Sequence, residues 1–187
     1  MSDSAVSTGS VTRYPMGVVI CHWLAAILVG VIIVTGLQME DLPRGPEKLA
    51  LIDLHGSLGT TLLAVMLFRL WFRLRGPLPA DPDSGSKATN SLATLVHWAF
   101  YALIIGQIIG GLVTVWTVSR PVWFLGFIEV ASIMAKDIDL HHTVEDAHKL
   151  NWLIIAGLVG LHLVAVGYHA MAAKDGFIGR MLPINTK

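Results

Sequence analysis

The chain has 187 residues, of which 54% are hydrophobic and 14% are charged, whereas a soluble domain is usually about one quarter charged. The mean hydropathy of +0.66 agrees that much of the apolar surface faces something other than water. A formal net charge of zero gives no electrostatic basis for binding nucleic acid. The single cysteine, Cys21, excludes an internal disulfide framework and a thiolate cluster.

Four apolar stretches are long enough to cross about 30 Å of hydrocarbon as helices. Each is followed by a helix-breaking sequence, and the first is too long for the apolar part of a signal peptide. The sequence therefore predicts an all-α, integral membrane four-helix bundle that forms a single domain over residues 1–187. The predicted spans are 16–39, 49–72, 91–118 and 147–173.

The stretch 120–146 is expected to be a connection between the third and fourth spans. Its apolar part, 123–128, is too short to span and is expected on the membrane surface. His141 and His142 are then expected to be surface residues of this loop, with metal binding as the alternative.

The basic residues predict the orientation of the bundle. Four spans place both termini on one side, and that side holds eight of the 13 Lys and Arg residues. The cluster of Arg69, Arg73 and Arg75 is the strongest local signal. Because Lys and Arg near span ends favour the cytoplasm, both termini are predicted to lie on the cytoplasmic side of the membrane. Counting acidic residues as well, the terminal side carries about +4 and the opposite side about −4.

Six of the eight histidines fall within or at the edge of a span. Ionisable groups in the membrane are costly and usually mark function, and neutral imidazoles suit a metal or haem iron. Without a C-x-x-C-H motif, covalent attachment of a c-type haem is excluded. For any one of these histidines, the alternative is a structural role in which it hydrogen-bonds to a neighbouring helix. The six are His22, His55, His97, His148, His162 and His169.

The spacing on the fourth span is the most specific signal. His148 and His162 are 14 residues apart, which places them about 40° apart around the helix and about 21 Å apart along it. One helix thus offers a ligand near each membrane surface, and His169 lies on the same face.

Partners for these ligands must lie at matching depth on other spans. Depth pairs His55 with His148 on the outer side. For His22 it leaves three partners open, His162, His169 and His97, and His97 matches its depth best.

Arg69 follows His55 by 14 residues and so shares its helix face at the inner end of the second span. An arginine there is suited to hold a haem propionate. The alternative is that its guanidinium reaches out to anionic lipid.

Short segments in all four spans resemble those of the prokaryotic cytochrome b561 family, and together they cover nearly the whole chain in family order. They are Cys21-His22-Trp23-Leu24, Asp53-Leu54-His55-Gly56, Leu67-Phe68-Arg69-Leu70 with Arg73, Val96-His97-Trp98, Ala147-His148-Lys149, Gly160-Leu161-His162, Lys174-Asp175-Gly176 and Arg180-Met181-Leu182-Pro183.

The resemblance implies two b haems with bis-histidine ligation. It implies His22 with His162 for the inner haem and His55 with His148 for the outer haem. His97 and His169 are then left as candidates for a quinone site at the inner haem. Some relatives resemble a superoxide oxidase that reduces ubiquinone. The net negative outer side argues against collecting an anion there, unless Lys48, Arg120 or Lys149 forms a local basic patch.

The leading hypothesis is a dihaem membrane cytochrome that transfers electrons between a periplasmic-side donor, with superoxide as one candidate, and the quinone pool. Whether the chain is itself an enzyme, a superoxide:ubiquinone oxidoreductase or another quinone-linked oxidoreductase, is left open. The alternative is a haem-bearing membrane-anchor subunit that relays electrons within a larger dehydrogenase or respiratory complex. A third hypothesis, a transporter with a histidine proton relay, is disfavoured by the lack of carboxylates at the span centres.

Overall fold

The computed structural model of the chain describes residues 13–76, 87–173 and 177–182. Four long helices dominate these residues: α1 at Met16–Asp41, α2 at Pro46–Arg75, α3 at Lys87–Trp116 and α4 at Ile138–Tyr168. All four are long and apolar enough to cross a membrane. The predicted all-α membrane four-helix bundle is therefore confirmed. Lys174, Asp175, Gly176, Pro183 and Lys187, on which the sequence analysis also drew, lie outside the described residues.

The bundle consists of two closely packed helix pairs. Helix α1 packs against α2, and α3 packs against α4. The two pairs are joined mainly by the contact between α2 and α3. We call the end at which α1 begins and α4 finishes the terminal end, and the opposite end the hairpin end. Because α1 and α4 make little contact, the packing leaves space between the two pairs.

The side chains of the helices divide into a small apolar core and a large exposed apolar surface. Met66, Leu62 and Tyr101 belong to the core. By contrast, Ile27 on α1 and Val164 on α4 are 62% and 71% exposed. A surface this apolar is expected where lipid tails rather than water surround the helices.

A short antiparallel hairpin lies between α3 and α4 and packs against α2. Its strands are β1 at Val122–Phe124 and β2 at Ile128–Val130. Leu125 and Gly126 form the turn with positive φ angles of 54° and 80°. The Thr60 hydroxyl of α2 donates a hydrogen bond of 3.1 Å to the carbonyl of Trp123. The sequence analysis expected this apolar segment on the membrane surface and did not predict the two strands. The structure shows that the segment packs against α2.

Helix α4 begins at Ile138, nine residues before the predicted span. The Asp137 side chain caps it by accepting a hydrogen bond from the Leu140 amide at 3.0 Å, which satisfies one of the unpaired amides of the first turn. His141 and His142 are therefore helical, not loop residues. His142 is exposed as expected, whereas His141 is partly buried against α3.

The C-terminal segment closes the terminal end of the bundle. After Tyr168 the helix continues as a π-helical turn at His169–Ala173, and Phe177–Met181 forms a 3₁₀ turn. The Trp23 indole donates to the Met181 carbonyl at 2.7 Å, and the Arg13 guanidinium donates to the Gly179 carbonyl at 3.1 Å.

Candidate metal centres

The space between the helix pairs contains two pairs of facing histidines. At the hairpin end, the ring centroids of His55 on α2 and His148 on α4 are 6.5 Å apart, with an angle of 70° between the planes. At the terminal end, His22 on α1 and His162 on α4 have a centroid distance of 6.4 Å and an angle of 74°. The structure therefore brings together both pairs that the family resemblance implies.

Both centroid distances fit two imidazoles that share one metal ion. A metal–imidazole nitrogen bond is about 2.0 Å and the ring centroid lies about 1.1 Å beyond the nitrogen, so two rings on opposite sides of one ion have centroids about 6.2 Å apart. A hydrogen bond between two ring nitrogens would bring the centroids to about 5 Å, whereas edge-to-face packing of two rings allows centroid distances up to about 7 Å.

The hydrogen bonds of Thr35 fix the tautomer of His55. The Thr35 hydroxyl donates its single proton to the Ile32 carbonyl at 3.0 Å, so it can only accept from His55 Nδ1, which is also 3.0 Å away. His55 therefore carries its proton on Nδ1, and Nε2 offers a lone pair. A ligating histidine almost always has its second nitrogen held by such a partner.

Glycines allow neighbouring helices to approach the rings of the hairpin-end pair. A Cβ atom on Gly111 of α3 would lie 3.1 Å from Cε1 of His148, which is closer than ordinary packing allows. A Cβ on Gly36 of α1 would lie 3.4 Å from Cε1 of His55. Glycine at these positions therefore sets how closely α1 and α3 enclose the pair.

A polar contact between α3 and α4 positions the turn that carries His148. The Gln107 amide donates to the His148 carbonyl at 3.0 Å. Asn151 donates to the Gln107 side-chain oxygen at 2.8 Å and to the Leu103 carbonyl at 3.0 Å. In an apolar surrounding such hydrogen bonds stabilise one helix register over others.

A cavity of about 550 Å³ opens at the hairpin end and is lined by His55 and His148. This volume is in the range of small-molecule and cofactor sites. Lys48, Arg120 and Lys149 also line it, so all three basic residues considered for a local patch lie at this site. Arg120 pairs with Asp53 at 2.8 Å and Lys149 with Glu145 at 2.9 Å, whereas the described contact of Lys48 is the Leu42 carbonyl.

Arg69 lies beside the terminal-end pair. It interacts electrostatically with both His22 and His162, and its guanidinium lies 5.5 Å from the centroid of the Tyr101 ring. Its Nε is buried and has no hydrogen-bond partner among the described residues. A buried cation with an unused donor fits an absent anionic group better than a side chain that reaches lipid.

The structure also places the two remaining intramembrane histidines at the terminal end. His97 on α3 is half-buried and is close enough to interact electrostatically with His22. His169 is half-buried where the π-helical turn begins, and its ring packs edge-on to Tyr168 with centroids 5.7 Å apart. The ring of His162 faces that of His22.

The sequence analysis did not single out Thr35, Gln107, Asn151 or the glycines beside the rings. A polar side chain within an apolar span is a signal for Gln107 and Asn151. No comparable signal marks Thr35, because a threonine often bonds to the carbonyl of its own preceding turn.

The fold and the paired histidines together define a bundle of membrane helices with two pairs of facing imidazoles in its interior. A comparison with known families is more specific: residues 13–183 match the family model described as prokaryotic cytochrome b561, and the chain belongs to that family. It is accordingly a bacterial multi-pass membrane protein, a haem-binding b-type cytochrome of electron transfer.

Two curated relatives match over most of their length. The chain is 27% identical to the "Probable superoxide oxidase CybB" of Yersinia pestis over 87% of this chain and 91% of the relative. It is also 27% identical to "Cytochrome b561 homolog 2" of Escherichia coli strain K12, over 92% of this chain and 89% of the relative.

Proposed function

We propose that the chain binds two b haems and transfers electrons through them between a donor on the outer side and quinone in the membrane. The observation that carries this proposal is the presence of two histidine pairs, each at the separation of two ligands of one iron. His55 with His148 would hold the haem at the hairpin end, and His22 with His162 the haem at the terminal end. Haem supplies one-electron transfer when bound, and filled axial positions disfavour reaction of a substrate at the iron.

The chain has groups suited to the other parts of each haem. Arg69 has an unused buried donor for a propionate at the terminal end. At the hairpin end, Lys48 supplies positive charge to the cavity, whereas the charges of Arg120 and Lys149 are paired with those of Asp53 and Glu145. Thr35 holds the His55 tautomer in which Nε2 faces a metal. These residues support haem at both positions.

The terminal end is proposed to be cytoplasmic, with the protein in the inner membrane. Arg69, Arg73 and Arg75 all lie at the terminal end of α2, as the preference of basic residues for the cytoplasmic side requires. A reporter fused after Lys187 should then be active in the cytoplasm. Activity of the reporter only on the outer side would reverse the orientation and the direction of the proposed pathway.

Superoxide is the proposed donor at the hairpin end. The outer side as a whole is acidic, and in the cavity that contains His55 and His148 the basic side chains of Arg120 and Lys149 are paired with Asp53 and Glu145. Lys48, whose described contact is a backbone carbonyl, is the cation proposed to attract an anion locally. Two superoxide anions would each lose one electron and become dioxygen. The two electrons, with two protons from the cytoplasmic side, would convert one ubiquinone to ubiquinol.

The proposed quinone position is beside the terminal-end pair, at His97 and His169. A neutral imidazole can donate a hydrogen bond to a quinone carbonyl and pass a proton to it. Both side chains are half-buried at the end of the bundle that the proposal assigns to the cytoplasm, where the protons would be taken up.

Haem quantification of the purified protein tests the proposal directly. A pyridine haemochrome assay should give two b haems per chain, and the purified chain should reduce ubiquinone when superoxide is generated. One haem per chain would remove one of the two sites. If the protein contains two haems but does not reduce quinone when superoxide is generated, the proposal of a dihaem cytochrome stands and superoxide is excluded as its donor.

A second candidate is a membrane-anchor subunit that relays electrons for a partner. The acidic hairpin side favours it, because a surface with a net charge of about −4 suits a basic soluble partner. Copurification of a partner in stoichiometric amounts, with no quinone reduction by the isolated chain, would support the anchor over the independent oxidoreductase.

A further inference from the structure

A cluster of metal-ligating side chains lies at the hairpin end of α4, outside the two histidine pairs. It comprises His141, His142 and Glu145, and one ligand atom from each lies within 4.8 Å of the others. Glu145 Oε2 is 3.7 Å from His141 Nε2 and 4.0 Å from His142 Nδ1. We propose that these three side chains bind a divalent transition-metal cation such as Zn²⁺ from the outer side.

Hydrogen bonds prepare His141 for this role. Its Nδ1 is 2.9 Å from the Thr114 carbonyl, which can only accept, so the ring proton is on Nδ1. Nε2 is then left with its lone pair directed towards Glu145. A backbone carbonyl that holds the second nitrogen is the usual support of a metal-ligating histidine.

Lys149 orients the carboxylate of Glu145. Its ammonium lies 2.9 Å from Oε1, while Oε2 is the oxygen that faces both histidines. One carboxylate oxygen is thus taken by the lysine and the other is available to a metal. Two imidazoles and one carboxylate leave a fourth position for water, a ligand set that suits Zn²⁺.

The cluster is accessible from outside and needs little movement to close. The side chain of His142 is 68% exposed, so its ring can turn towards the other two without displacing packed neighbours. Ligand atoms of a tetrahedral zinc site are about 3.4 Å apart, and the observed separations from Glu145 exceed this by well under 1 Å. The alternative is a set of ordinary surface ion pairs that forms only when the histidines are protonated.

The position of the cluster connects the metal to the hairpin-end cavity. His141 and Glu145 both line that cavity, and His141 precedes His148 by seven residues on one helix face, about 10 Å along the axis. A bound dication there should raise the midpoint potential of the hairpin-end haem and leave that of the other haem unchanged. This consequence rests on the proposed haem, whereas zinc binding does not.

Zinc binding to the haem-loaded protein in detergent, measured by equilibrium dialysis with Zn²⁺ alone, tests the site. We expect one zinc ion per chain in the wild type, with at least about tenfold weaker binding in His142→Ala and in Glu145→Gln. Asp146→Asn is the matched control, because it removes an exposed carboxylate next to Glu145 that is not in the cluster.

Unchanged binding in His142→Ala and Glu145→Gln would overturn the proposal, as would an equal loss in Asp146→Asn, which would indicate nonspecific attraction to the acidic surface. His142→Ala removes an exposed side chain, and the haem spectrum reports whether the bundle is intact. If one zinc ion binds per chain but neither haem potential changes, the proposed zinc site is supported, and the result counts against the haem proposed at the hairpin end.

Discussion

The two histidine pairs have almost the same geometry, and they differ in what surrounds them. Their centroid distances are 6.5 and 6.4 Å, and their interplanar angles are 70° and 74°. The hairpin-end pair is enclosed by glycines, a threonine and an amide, next to a cavity with three basic residues. The terminal-end pair instead has a buried arginine and His97 close to it, and His169 lies at the same end of the bundle.

This difference shows how one scaffold can place two similar histidine pairs in different surroundings. The pair geometry is set by α4, which contributes one member to each pair. The surroundings come from the other helices, so they can differ in charge and in access. Arg69 places a cation beside the terminal-end pair, and Thr35 makes a neutral hydrogen bond to the hairpin-end pair. We therefore expect the two haems to differ in midpoint potential and in the molecules with which they exchange electrons.

The largest expected effect follows from removing one ligand. His162→Ala leaves His22 without the ring that faces it, so the terminal-end haem should be lost or become high-spin while the haem at His55 and His148 remains. The pyridine haemochrome ratio and the optical spectrum would measure this. His97→Ala is the control and should retain two low-spin haems while impairing quinone reduction. The opposite result, loss in His97→Ala and retention in His162→Ala, would assign the ligand to α3.

A smaller effect, confined to the other pair, is expected from Gly111→Val. A Cβ at this position would lie 3.1 Å from Cε1 of His148, so a branched side chain must displace that ring from its position opposite His55. Haem at the hairpin end should bind more weakly, and purified protein should contain between one and two haems per chain. Gly106→Val is the matched control on α3, because a Cβ there meets nothing within 4 Å. Equal haem loss in both variants would indicate a general defect of the helix.

Arg69→Leu should change the terminal-end haem without removing it. Taking a buried positive charge away from His22 and His162 disfavours the reduced, more negative state, so the midpoint potential of that haem should fall. Spectroelectrochemical titration should show one potential moving and the other unchanged. Arg75→Leu is the control, since that guanidinium lies over Trp71 at the end of α2. A shift of both potentials, or of the hairpin-end potential alone, would contradict the placement of Arg69.

The smallest effect is expected from Thr35→Val. Valine keeps the shape of threonine but cannot accept the proton of His55 Nδ1, which makes the imidazole a weaker donor to iron. A lost neutral hydrogen bond of about 1 kcal/mol corresponds to a rise of about 40 mV in the potential of the hairpin-end haem. Thr61→Val, which removes only a bond to the Ser57 carbonyl within α2, should leave the potential in place. An unchanged potential in Thr35→Val would show that this bond does not tune the metal.

Hydropathy predicted the four helices but located one of their ends poorly. Helix α4 starts at Ile138 because its first turns are stabilised by Asp137 and by polar pairs among His141, Glu145 and Lys149. A search for apolar residues detects only the part of a helix that lies in hydrocarbon. The hairpin was missed because two strands of three residues carry almost no periodic signal.

The sequence alone also left the partner of His22 undecided, because depth along a helix depends on where each helix is taken to end. The predicted fourth span ran to residue 173, which put His162 deeper than His22. In the structure the α-helical part ends at Tyr168 and a π-helical turn follows. His162 is then six residues from the end of α4, and His22 is six residues from the start of α1. Counted from these α-helical ends, both histidines lie about 9 Å along their helices, and their rings face each other.

The sharing of α4 between both pairs has a consequence for biogenesis. A chain is synthesised from its N-terminus, so α1 and α2 are made first and carry His22 and His55 into the membrane as single imidazoles. Each gains its facing ring only when α4, the last of the four helices, has been synthesised and has packed against α3. Both positions are completed by the same event, so cofactor loading is expected late in assembly and together at the two ends.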